Sequence, residues 1–158
     1  MIKPAILALL ACTMLPLMAH AAAVTPLAAS DIPALTKPPT HGERIIALWS
    51  LDCVYCEANL KALARVQQSH PREVELILVA TDNPSREQAV VEHLQKIGMI
   101  GFRAQYYAEA SPERLNFLLD PEWGGELPRT LVIRADGSRS GISGGLSPSQ
   151  LGRIGSLP

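Results

Sequence analysis

Two of the three cysteines, Cys53 and Cys56, stand two residues apart. A thiol reacts as its thiolate, and a helix N-terminus lowers the pKa of a Cys because its unpaired N–H groups and dipole favour the anion. A second Cys one turn later can attack the mixed disulfide formed by the first and release the bound partner. That geometry needs two intervening residues. By position Cys53 is the attacking thiol and Cys56 the more buried, resolving one. The same spacing supplies two zinc ligands; the remaining two would have to come from His41, His70 or His93, none of which stands in a paired spacing.

The flanking elements place this pair. Residues 44–49 (RIIALW) form a short apolar, β-branched run, the mark of a buried strand, and Ser50, Leu51 and Asp52 make a loop. From Cys53 to about Ser69 the apolar residues Leu60, Leu63, Ala64 and Val66 recur at helical spacing, and Pro71 stops the helix. A second core strand is expected over 74–80 and an amphipathic helix over 85–97, with Ala89, Val90, Leu94 and Ile97 inward and Gly98 as its stop. Residues 102–107 read as a strand, and Ser111 with Pro112 opens a helix through Leu119 with the serine as cap. Residues 131–133 read as a strand, Asp136-Gly137 as a hairpin turn, and Ser147-Pro148 as the start of a short last helix.

The N-terminus orders a positive start (Lys3), an apolar run over 4–18 and the small-x-small triplet Ala19-His20-Ala21, the three parts of a secretory signal. Cleavage near Ala21 or Ala23 is expected. An uncleaved anchor and a lipidated Cys12 are the competing readings of the same segment. The expected division is a signal peptide over 1–23, an extended Pro- and Ala-rich lead-in over 24–42 with room for one edge strand, and a single domain over 43–158. Removal of the signal leaves Cys53 and Cys56 alone, and so short a loop constrains little of the unfolded chain. A chemical role is the better reading than a structural one. With 14 Lys and Arg against 15 Asp and Glu, and no basic stripe, nucleic acid is excluded as a partner.

Three stretches, ALWSLDCVYC, LPRTLVIRADG and SGGLSPSQL, resemble the active-site strand and turn, the cis-proline strand, and the last hairpin and helix of the thioredoxin superfamily. The resemblance covers about 44–151. The stretch between Asp82 and Pro128 is longer than in plain thioredoxin and resembles the helical insertion of the periplasmic TlpA/ResA-type thiol-disulfide oxidoreductases. It implies an α/β thioredoxin-like fold: a central mixed sheet flanked by helices, with a helical insertion before the cis-proline strand. It further implies that Trp49 packs near the active-site loop, as an ordinary core aromatic also would, and that Pro128 is cis and leaves the backbone of Leu127 free to pair with a client segment. Arg129, beside it, is expected at the rim, where it would stabilise the Cys53 thiolate or orient an acidic client, or else face outward.

The chain departs from the pattern at several positions. Asp52 stands where Trp commonly precedes the first Cys, Ala47 replaces the buried acid of thioredoxin, and Asn59 stands where many TlpA/ResA-type members carry an acid. Asp52 or Glu57 is left to substitute as proton acceptor, or to be a solvated charge. Val54-Tyr55 replaces Gly-Pro, and a Tyr before the second Cys resembles glutaredoxins and DsbC-type isomerases. The implied function is a monomeric periplasmic enzyme without cofactor or metal, exchanging disulfides with exported proteins that carry Cys pairs. Reduction, as in cytochrome c maturation, with a membrane donor of the DsbD/CcdA type, is the leading direction. A DsbC/DsbA-type isomerase or oxidase and a soft-metal (copper) carrier are the alternatives.

Overall fold

A computed structural model of the chain describes residues 24–156. The expected signal segment, with Cys12, lies outside the described residues. In chain order the elements are β1 Thr25–Leu27, α1 Ile32–Leu35, β2 Glu43–Trp49, α2 Cys56–Ser69, β3 Val74–Ala80, α3 Glu87–Lys96, β4 Arg103–Tyr107, α4 Pro112–Leu119, β5 Arg129–Arg134, β6 Arg139–Ser143 and α5 Pro148–Arg153.

β2 and β3 are almost wholly buried. Strands apolar on both faces must be covered on both, and these two lie at the centre of a six-stranded sheet of order β1-β4-β3-β2-β5-β6. β2 pairs parallel with β3, Trp49 opposite Ala80, and antiparallel with β5, Leu48 opposite Arg129. Alternation along each strand divides the core in two. Ile45, Ala47, Trp49, Leu76, Leu78 and Val132 pack with α2, α3 and α5 on one face. Ile46, Leu48, Ile77, Val79, Leu131 and Ile133 pack with α1 and α4 on the other.

The expected lead-in is structured. β1 adds to the sheet edge, parallel to β4, and Leu27, Ile32 and Leu35 are buried under that second face. Three buried aliphatic side chains, each stabilising by about 2 kcal/mol, are enough to hold a short segment that has no periodicity of its own. Gly42 then turns the chain into β2 at φ +68°, where a Cβ would collide with Glu73 O.

Three local expectations are corrected. α2 begins at Cys56, so Cys53 precedes it in a turn. Ala89 is exposed, because the face of α3 that meets the sheet runs through Val90 and Leu94. Ser111 occupies the N-cap of α4 but its side chain makes no capping bond, whereas Ser147 and Gln150 form a reciprocal capping box on α5. The stretch between Asp82 and Pro128 holds α3 and α4 and, between them, β4.

Candidate active site

The pair sits where β2 hands over to α2. In the intervening loop the Cys53 N–H donates to Ser50 O (3.2 Å) and the Cys56 N–H to Cys53 O (3.2 Å). Cys53 and Cys56 are joined in a disulfide with their Cα atoms 5.4 Å apart. Cys53 is half-buried, while Cys56 is 1% exposed in the core beside Trp49, Leu60 and Leu63. The first cysteine is partly exposed and the second is not. Val54 and Tyr55, between them, are 87% and 74% exposed and add an apolar lip.

The Leu127–Pro128 peptide bond is cis. Pro128 is buried, its carbonyl accepting from the Gly144 N–H at 2.8 Å, and Leu127 is half-buried. A cavity of about 320 Å³ is lined by Ser50, Asp52, Cys53, Val54, Tyr55, Gly125 and Leu127. The structure thus brings Cys53, Asp52, Tyr55 and Leu127 to one groove.

Trp49 is 1% exposed and stacks on His93 of α3, ring centroids 5.4 Å apart. Its Nε1 has no hydrogen-bond partner. His41 meets Arg72 O at 2.9 Å and His70 Nδ1 lies 3.2 Å from Val66 O, so each histidine is engaged away from the cysteine pair. Among the described residues no three His, Cys, Asp or Glu side chains are placed to hold a metal ion.

Asp52 is not a free charge. Arg86, just ahead of α3, donates to it at 2.6 and 3.3 Å, and this hydrogen bond and charge hold the Asp52 carboxyl below its usual range. The same guanidinium reaches Asp82 at 3.0 Å, whose side chain is 2% exposed. Asp82 also accepts the Leu51 N–H, at 3.1 Å to one carboxylate oxygen and 3.3 Å to the other. Burial nevertheless pushes the Asp82 carboxyl up. Glu57 is paired with Lys61 at 2.6 Å, one helical turn on, and that bond lowers its carboxyl.

Asn59 is buried and joins α2 to β5 and to the loop before α5: Nδ2 donates to Thr130 Oγ1 at 3.1 Å and Oδ1 accepts the Leu146 N–H at 3.1 Å. A neutral amide can donate and accept at once, and Asn59 does both here.

Arg129 is a correction. Thr130 faces α2 through Asn59, so alternation turns Arg129 to the opposite face. There it is 8% exposed and bound to Asp120, at the end of α4, through Nε (3.2 Å) and Nη2 (2.6 Å), and to Ser143 Oγ through Nη1 (2.7 Å). Its charge is spent in a buried pair that fixes the strand following Pro128, and it does not line the Cys53 groove. A Cβ on Gly141 of β6 would collide with this guanidinium.

Asp82 and Arg86 escaped the sequence reading. Their one signal was an acid and a base four apart shortly after a largely apolar strand, a pattern that surface helices also show.

No family model and no curated protein matches the chain. Many solved structures do. A secreted Mycobacterium tuberculosis disulfide oxidoreductase homologous to Escherichia coli DsbE aligns at 20% identity over 73% of this chain and 82% of its own, with a TM-score of 0.58. StoA from Bacillus subtilis aligns at 20% identity over 74% and 84%, TM-score 0.54. A DsbF homologue from Corynebacterium diphtheriae aligns at 13% identity over 72% and 69%, TM-score 0.60. The chain shares with them a thioredoxin-like fold: a six-stranded mixed sheet flanked by helices.

Proposed function

We propose that this chain, with its thioredoxin-like fold, is an exported thiol-disulfide oxidoreductase of the TlpA/ResA type that reduces disulfides in periplasmic client proteins. The observation that carries the reading is the asymmetry of the disulfide pair: Cys53 half-buried on a groove, Cys56 1% exposed beneath it. In the reduced protein Cys53 ionises and its Sγ attacks one sulfur of the client disulfide. A Cys53–client disulfide forms, and the other client sulfur leaves as a thiolate that takes up a proton. Cys56 then loses its proton and attacks Cys53 Sγ, which restores the Cys53–Cys56 disulfide and frees the second client thiol. Two electrons and two protons pass to the client. The oxidised pair returns to the dithiol only with an external dithiol donor on the membrane, since the bacterial periplasm is kept oxidising. Cytochrome c maturation is the process to which such a reductant is best suited.

The unpaired N–H groups at the start of α2 favour the thiolate of Cys53, three residues ahead of the first helical residue. Leu127 lines the same groove, and on this reading its backbone pairs with the extended client segment around the client's disulfide.

Alkylation followed by mass spectrometry tests the reading. The protein should gain two labels under reducing conditions relative to oxidising ones, and its equilibrium with a dithiol buffer should give a potential well below that of DsbA, which is about −120 mV. An unchanged label count, or a stoichiometric bound metal, would replace the enzyme by a metal carrier. A potential near that of DsbA would reverse the direction to oxidation.

A further inference from the structure

We propose that Arg86 is a positioning residue for the Cys53 thiolate, acting by pairing with the Asp52 carboxylate and bridging it to the buried carboxylate of Asp82. The proposal rests on thiol-disulfide exchange at Cys53 and concerns what sets the reactivity of that thiol.

Asp52 adjoins the residue that must ionise, and its side chain is 78% exposed. A free carboxylate there swings on one rotatable stem and disfavours a neighbouring thiolate. In the structure it is paired. Arg86 Nη1 meets Asp52 Oδ2 at 2.6 Å and Asp82 Oδ1 at 3.0 Å, so one guanidinium nitrogen clamps both acids. Asp82 is anchored in turn, 2% exposed and accepting the Leu51 N–H at 3.1 Å. The loop carrying Cys53 is therefore tied to the end of β3 twice, through its backbone at Leu51 and through its side chain at Asp52. Arg86 supplies one positive charge against two negative ones, and it supplies it at the acid nearest the sulfur in sequence.

Other ionisable groups stand on the elements around Cys53, and several of them are engaged. On its own loop stands Tyr55, and on α2 Glu57, closed on Lys61 at 2.6 Å. On α3 stand Glu87, which accepts from the Tyr106 hydroxyl, Glu92, which accepts from Gln88, His93, stacked on Trp49, and Lys96. Before Pro128 stands Glu126, hydrogen-bonded to Ser143 and 3.8 Å from Arg129. Arg86 with Asp52 is the charge pair that adjoins Cys53 in sequence.

The test is a double-mutant cycle on the reduced full chain. Cys53 ionisation is followed by thiolate absorbance and by iodoacetamide alkylation against pH, with circular dichroism to confirm the fold. Arg86→Gln should move the Cys53 midpoint upward and slow alkylation at pH values below it by about threefold or more, half a decade of thiolate fraction. Arg86→Lys keeps the charge but not the planar fork, and should fall between. Asp52→Asn should lower the midpoint more in the Arg86→Gln background than in the wild type, because the acid is then no longer paired with a positive charge. An unmoved midpoint in a folded Arg86→Gln variant, or the same Asp52→Asn effect in both backgrounds, would overturn the proposal. The exchange reading fails separately, on the wild-type protein, if it never forms a mixed disulfide with a disulfide-bonded client.

Discussion

Arg129 Nη2 lies 2.6 Å from Asp120 Oδ2, with only 10% and 11% of the two side chains exposed, on the face of the sheet opposite α2. The pair closes the strand after Pro128 onto the end of α4, with Ser143 of β6 as a third partner. Removing one member of a buried pair leaves the other charge unsatisfied, at a cost of about 3 kcal/mol or more. Arg129→Gln should therefore lower the denaturant midpoint strongly while leaving the Cys53 titration unchanged. A folded variant of wild-type stability with an altered thiol titration would return Arg129 to the rim of the groove.

Cys56→Ser should accumulate mixed disulfides through Cys53 when mixed with oxidised periplasmic extract, because the resolving thiol is gone. Cys53→Ser should trap little, since Cys56 is 1% exposed. The comparison is read on non-reducing gels, and equal trapping by the two variants would mean that the roles are assigned wrongly.

Asn59 joins α2 to Thr130 of β5 and to the backbone of Leu146. In Asn59→Ala the Leu146 N–H loses its acceptor and the Thr130 hydroxyl its donor, a loss of about 1–3 kcal/mol. Equilibrium denaturation should show it. Asn59→Asp keeps the acceptor for Leu146 and lets the Thr130 hydroxyl donate, so it should recover part of that loss, and more of it as the pH falls and the buried acid is protonated. If the two variants are equally unstable at every pH, the bridge does not carry the stability assigned to it.

Asp82 makes stability depend on pH with a definite sign. Burial raises its folded-state pKa above the unfolded value, so its contribution is fully present below the unfolded value and is lost as the pH rises through the folded one. Asp82→Asn should therefore gain on the wild type as the pH rises through that range, measured as the difference between two denaturation series. The lowered carboxyls of Asp52, Glu57, Glu126 and Asp136 act with the opposite sign. Those not touching the Asp82 cluster contribute to both proteins and cancel in the difference. Parallel stability curves would show that Asp82 does not titrate differently in the folded state.

The reactive pair and the elements that hold it could be read from residue order, because they depend on local patterns. An apolar β-branched run, a short loop and residues repeating at helical period bracket Cys53 and Cys56 within one stretch of chain. The run over 74–80 coincides with β3, and the hairpin at Asp136-Gly137 joins β5 to β6. The charges were not readable in the same way. Asp52 meets Arg86 across 34 residues of sequence, because β3 happens to lie beside β2 and delivers its C-terminal loop to the same end of the sheet. Arg129 alternates with Thr130 on any strand, yet only the placement of α2 over the Thr130 face sends the arginine to Asp120 rather than to Cys53. The same holds for the lead-in, whose Leu27, Ile32 and Leu35 have no period and find their place only against β4 and α4. Period and propensity act over a few residues, and so they identify the thiols and their helix. Which ion pairs form, and which face a side chain meets, follows from strand order and layer packing, contacts that residue order alone leaves open.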